Sequence, residues 1–182
     1  RGLRDLDGNG VVTGLTEISN IKAKEKLSDG TTVPCDGQLF YRGINVRDLV
    51  NGFMTDGRFG FEETVYLLLF SKLPDKAQLE KFTNTLAEYR TLPTSFVRDM
   101  ILKAPGHNLM NILARSVLAL YAYDENPDDI SIPNVLRQSL QLIAVFPLLS
   151  VYGYQSFQHY YNGQSLCIHL PKKELSTAEN IL

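Results

Sequence analysis

Phe61-Glu62-Glu63-Thr64-Val65-Tyr66-Leu67-Leu68-Leu69-Phe70-Ser71-Lys72-Leu73-Pro74 is the stretch on which the fold turns. Apolar side chains at Phe61, Val65, Leu68, Leu69 and Phe70 recur at helical spacing, and Tyr66, Leu67 and Leu73 widen the stripe. Glu62 and Glu63 stand where a helix N-terminus favours negative charge. The spacing predicts a nearly all-buried helix, stopped at Leu73-Pro74 because proline forces the preceding residue out of the helical region. Neighbouring elements must cover so apolar a helix.

Downstream, the pattern stays helical. A second, amphipathic helix is expected over residues 75–89, with Ala77, Leu79, Phe82 and Leu86 inward. A third spans 94–103, with Phe96, Val97, Met100 and Ile101 inward, and Pro105-Gly106 ends it. The fourth, 108–123, is apolar around most of its circumference, more than one face against a core requires. An acidic loop over 124–130 precedes a long fifth helix, 133–161, in which Pro147 removes a backbone hydrogen bond and should introduce a kink. Residues 163–171 read as loop. Ser176-Thr177-Ala178-Glu179 is a capping box opening a further helix, and the chain then stops, which reads as a cut inside an element.

Upstream, the pattern is β and turn. Residues 11–19 form a β-branched segment expected to be a strand, 20–37 a loop or a second hairpin around Ser28-Asp29-Gly30, and 38–41 a short strand. Asn45 should cap a brief helix through Val46 to Val50. The domain plan is therefore strands, loops and a short helix over 1–60 and a helical part over 61–182, together one incomplete domain.

Composition narrows function. A chain of 182 residues is long enough for a sizeable core. Net charge is −2, from 18 basic and 20 acidic residues mixed along the chain, so no basic stripe is present for nucleic acid and no polybasic anchor for lipid. The longest apolar run, 142–149, is far short of a membrane span and contains Pro147. A soluble protein is expected. The 2 cysteines, Cys35 and Cys167, lack metal or CxxC spacing and suit a reducing compartment, the cytoplasm. No signal peptide is visible after Arg1.

Few residues offer chemistry. Asp5-Leu6-Asp7-Gly8-Asn9-Gly10 copies the front half of a calcium loop, but the closing bidentate position falls on Thr16, and the run reads as a hairpin-type turn. Of the 3 histidines, His107 sits at a helix junction, and His159 and His169 lack metal-ligand spacing, so all read as structural. Arg42, which follows Phe40-Tyr41, is expected to pair with Glu62 or Glu63 and tie the strand region to the helix at 61. No metal site is expected.

Taken together, several segments resemble the N-terminal part of the large domain of the citrate synthase family. The matching pieces are Tyr41-Arg42-Gly43 within residues 39–49, Phe61-Glu62-Glu63 through Leu73-Pro74, the segments 12–19 and 79–82, His107 to Leu113, and 140–154. Departures fall at Ser71 and Asn108, where the family tends to have glycine and proline. The resemblance implies an all-α, multi-helical large domain with a small β-hairpin ornament near the N-terminus, and condensation of acetyl-CoA with oxaloacetate. It implies a homodimer through helices around 107–123 and 133–161. Acetyl-CoA and oxaloacetate would be substrates, and no cofactor is implied.

In such enzymes an aspartate removes the acetyl proton, histidines act as acid partners and arginines hold the dianionic substrate. The family places these groups in His-Gly-Gly, Gly-Phe-Gly-His and Asp-Phe-Tyr motifs, which this sequence does not contain. His107 matches a non-catalytic family position. No catalytic, cofactor-binding or metal residue is therefore carried over, and the chain alone is expected to be inactive. A 2-methylcitrate synthase using propionyl-CoA, or a non-catalytic helical scaffold, are the alternative readings.

Overall fold

β-branched and polar residues alternating around an Asp-Gly turn give a hairpin. In the computed structural model, which describes residues 4, 6–8, 10, 11 and 16–182, strands β1 (Ser19–Lys26) and β2 (Thr32–Tyr41) pair antiparallel from Ser19 opposite Tyr41 to Lys26 opposite Thr32, with a bulge between Lys22 and Lys24. Asp29 Oδ1 accepts from the Thr31 amide at 2.8 Å, and Gly30 takes a φ of 86° that its missing Cβ permits. The segment around Ser28-Asp29-Gly30 is thus a hairpin, and its second strand begins six residues before the expected Gln38. The two-residue β3 (Ile44–Asn45) completes the order β1-β2-β3. The first strand starts at Ser19; residues 12–15 of the strand expected over 11–19 lie outside the described residues.

Helix α1 (Val46–Thr55) is capped by Asn45, whose side chain accepts from the Arg47 amide at 2.9 Å, as its position before a helical run predicts. Helix α2 (Phe61–Phe70) follows a turn in which the Phe53 ring lies against Gly60 so closely that no Cβ would fit there. The helix is less enclosed than its composition implies. Leu67 is buried, yet Phe61 and Phe70 stay 39% and 38% exposed, while the first-turn carboxylates Glu62 and Glu63 are buried. The charged first turn claims interior space that the expected apolar stripe does not fill.

The chain divides into two compact units, residues 1–75, just described, and 76–182. In the second, α3 (Lys76–Tyr89) buries Phe82, Leu86 and Ala87. The helix expected over 94–103 is instead a π-helical segment, Val97–Leu102, entered through Ser95 at φ 67°. Its wider turn is closed by the Lys103 amide donating to the Arg98 carbonyl, five residues back, at 2.9 Å. Both Phe96 and Ile101 end fully buried.

Helix α4 (Leu109–Leu120) is capped by Asn108 and runs into a 3-10 turn at Tyr121–Tyr123. Helix α5 (Ile132–Asn162) continues through Pro147, and the capping box at Ser176 and Glu179 opens α6 (Thr177–Ile181). The core of this unit joins Phe96 and Ile101 to Val145, Leu148, Leu149 and Tyr152 of α5. Small residues let α4 and α5 approach: a Cβ built on Gly153 would meet Ile112 at 3.3 Å, and Ser116 and Ser156 are buried nearby in sequence on the same two helices. By length and composition α5 could cross a bilayer, with a window of mean hydropathy 1.4. That differs from the expectation drawn from 142–149, because the helix is longer than its apolar run. Here the face from Leu140 to Tyr152 forms a globular core instead.

Candidate functional site

Arg42 does reach α2, but its acceptor is not a carboxylate. Its Nε and Nη2 donate to the Leu68 carbonyl at 3.1 and 2.8 Å, in the last turn of the helix where carbonyls lack intrahelical partners. Glu63 instead accepts from Arg58 Nη1, and Arg58 Nε donates to Asp56 at 3.0 Å. The hydrogen bond that Arg58 donates to Glu63 holds its guanidinium above its ordinary range, with Asp56 adding to it. The expected pairing of Arg42 with Glu62 or Glu63 is corrected to a carbonyl contact on the same helix. Arg58, five residues from Glu63, closes the short loop first, and Arg42 is left beside the helix end.

His107 and His159 each have a structural use, and His169 meets a thiol. His107 stacks on Tyr161 with ring centroids 3.7 Å apart and meets Phe157 edge-on at 6.4 Å, tying the start of α4 to the end of α5. The His159 Nδ1 lies 2.8 Å from the Gln164 carbonyl, next to the Gly163 cap of α5. His169 Nε2 lies 3.0 Å from Cys167 Sγ. Among the described residues no group of three or more His, Cys, Asp or Glu side chains could hold a metal. The run 5–10 falls partly outside the described residues; of its remaining positions, Gly8 accepts from Arg4 and Gly10 bridges Arg4.

One buried cation was not visible in the sequence. Arg90, just beyond α3 and 3% exposed, donates through Nη1 to the Leu175 carbonyl at 2.9 Å and through Nη2 to Thr177 Oγ1 at 3.1 Å. Its partners lie more than 80 residues away, so no local pattern marks it. It borders a cavity of about 570 Å3 with apolar walls from Val97, Leu148, Ile168 and Leu170, and with Arg98, Lys172 and Lys173 also lining it. Such a lining can hold an apolar body beside an anionic group. Its lining holds no histidine and no carboxylate, and its titratable groups are Tyr152 and basic side chains.

The acidic loop before α5 is equally structural. Arg137 Nη2 donates to both Asp124 oxygens at 2.7 and 2.9 Å, and Gln138 adds a bond at 3.1 Å. Outside these networks, α4 and α5 carry bare apolar side chains, with Met110 72%, Leu118 76% and Phe146 42% exposed. That is the surplus expected for helices with an apolar circumference.

Comparison with known proteins matches this geometry to one family. Residues 5–182 match the family described as citrate synthase, C-terminal domain. A 2-methylcitrate synthase of Corynebacterium glutamicum is 29% identical over 142 residues, covering 78% of this chain and 32% of that protein. A citrate synthase of Saccharolobus solfataricus is 34% identical over 91 residues, covering 50% of this chain and 22% of that one. The crystal structure of citrate synthase from Pyrobaculum aerophilum superimposes with a TM-score of 0.71 over 98% of this chain and 42% of its own, at 24% identity. The chain thus spans about a third or less of the length of these two curated relatives.

Proposed function

From the premise that this chain belongs to the citrate synthase family, we propose that it is part of an acyltransferase that condenses acetyl-CoA with oxaloacetate to give citrate and CoA. The observation that carries this reading is the family match across nearly the whole chain, supported by a helical fold shared with solved citrate synthases. The part in hand supplies scaffold. Its histidines are engaged in stacking, a backbone contact and a thiol contact, and the Arg90 cavity is lined by apolar and basic side chains with no histidine or carboxylate. The 182 residues alone are therefore proposed to be inactive, with acetyl-CoA and oxaloacetate as substrates of the whole protein and no cofactor. A cytoplasmic location is proposed from the two free cysteines.

The same reading includes a homodimer through α4 and α5, the helices within 107–123 and 133–161. Its support is the exposed apolar side chains of both. A second reading, condensation of propionyl-CoA to 2-methylcitrate, is favoured by the similarity to the Corynebacterium glutamicum 2-methylcitrate synthase.

The test is thiol release from acetyl-CoA or propionyl-CoA with oxaloacetate, run on this chain and on the product of the full reading frame. The expected result is release by the longer protein only, with the preferred acyl donor separating the two readings. Release by this chain alone removes the scaffold assignment. A reading frame that ends at Leu182, with no histidine-bearing glycine-rich motif after it, favours a non-catalytic helical scaffold instead.

A further inference from the structure

The segment joining α5 to α6 has no regular structure from Gly163 to Lys172, yet it is anchored at its middle. Ile168 packs on the core of Phe96, Val145 and Leu149, so its two neighbours, Cys167 and His169, are directed outward together. Tyr152, 3% exposed, donates its hydroxyl to the His169 carbonyl at 2.8 Å and fixes the backbone there. The result is a thiol and an imidazole in direct contact, Sγ to Nε2 3.0 Å, both reachable from solvent. They border a cavity of about 250 Å3 whose other walls include Val151, Gln155 and Leu170.

We propose that Cys167 and His169 form a covalent modification site at which a small soluble disulfide exchanges with the Cys167 sulfur. Nε2 of His169 takes the thiol proton and the resulting thiolate attacks one sulfur of the disulfide. A new S–S bond forms to Cys167, the bond within the reagent breaks, and the departing thiolate takes the proton back from the imidazolium. One disulfide is exchanged for another, no external oxidant is consumed, and an added thiol reverses the step. The cavity beside the pair receives the half that becomes attached. His169 acts here as a positioning base. Cys35, half-buried in β2, is the internal reference thiol.

The experiment treats the 182-residue chain at neutral pH with a small aromatic disulfide and follows both cysteines by peptide-resolved mass spectrometry. Cys167 is expected to react roughly tenfold faster than Cys35. His169→Ala and His169→Gln, the second polar but not basic, should each slow Cys167 by a similar factor and leave the Cys35 rate within about twofold, and free imidazole should restore part of the loss. The proposal is overturned if Cys167 reacts no faster than Cys35, or if His169→Gln reacts as fast as the parent chain.

Discussion

The Arg42 guanidinium grips the Leu68 carbonyl through two donors, at 3.1 and 2.8 Å, and so closes the C-terminal end of α2 from the strand side. A cation on the last turn of a helix is favourable both for its orphan carbonyl and for the helix dipole. Arg42→Ala should cost about 1–2 kcal/mol in chemical denaturation. A double-mutant cycle of Arg42→Ala with Glu63→Ala should show coupling near zero, whereas Arg58→Ala with Glu63→Ala should show clear coupling. The reverse pattern would restore the carboxylate pairing that the sequence suggested.

Ser71 occupies the C-cap of α2 at φ 62°, the left-handed region. A side chain there meets a steric cost that glycine avoids. Ser71→Gly is expected to raise stability by about 0.5 kcal/mol, the relief being partly offset by the greater freedom of glycine in the unfolded chain. A fall in the denaturation midpoint would contradict the assigned backbone conformation.

Removal of the Arg90 side chain takes one donor from the Leu175 carbonyl, which keeps the Asn180 Nδ2 bond at 3.0 Å, and one from the buried Thr177 hydroxyl. Arg90→Met should destabilise the chain by about 1–2 kcal/mol, the scale of the hydrogen bonds lost. Because the fork cannot be copied by a single ammonium, Arg90→Lys should recover only part of this. Hydrogen exchange should show the loss first at residues 172–177, and uniform loss across α5 instead would argue against a local strap.

Asp124 has its carboxyl lowered from the ordinary value of 3.8 by the Asn126 amide, then by Gln138 and Arg137. A depressed folded value means stability that is present above 3.8 and is lost as pH falls through the lower folded value. Asp124→Asn should therefore lower stability at neutral pH and flatten the acid limb of the stability profile. Identical acid limbs in the two proteins would exclude this contribution.

Leu118 and Met110 stand open on α4. If the proposed homodimer uses this face, Leu118→Arg should weaken self-association at least tenfold, since a desolvated charge would have to be buried in an apolar contact. Sedimentation at several concentrations measures it. Unchanged association would place the contact elsewhere.

Local signals were legible wherever donor and acceptor lie within one turn. Asn45 capping α1 and the Ser176 capping box of α6 both form between residues at most three apart, so residue type and order suffice to find them. The hairpin at Asp29-Gly30 and the apolar periodicity of α3 and α5 follow from the same short-range rules. Likewise the family resemblance was carried by short motifs, and its departure at Ser71 falls on a left-handed cap where glycine would be unstrained.

Choices between equivalent partners were settled only by packing. Arg42 could have met a carboxylate or a carbonyl, and Arg90 reads in sequence like any solvated arginine after a helix. Which acceptor each finds depends on where segments far apart in sequence come to rest. The π-helical turn at Val97–Leu102, the stack of His107 on Tyr161 and the contact of Cys167 with His169 have the same origin. Chain order and periodicity decide which elements form, because backbone hydrogen bonding is local. Side-chain chemistry waits on the tertiary fold, because burial and distance between remote residues are properties of the whole core.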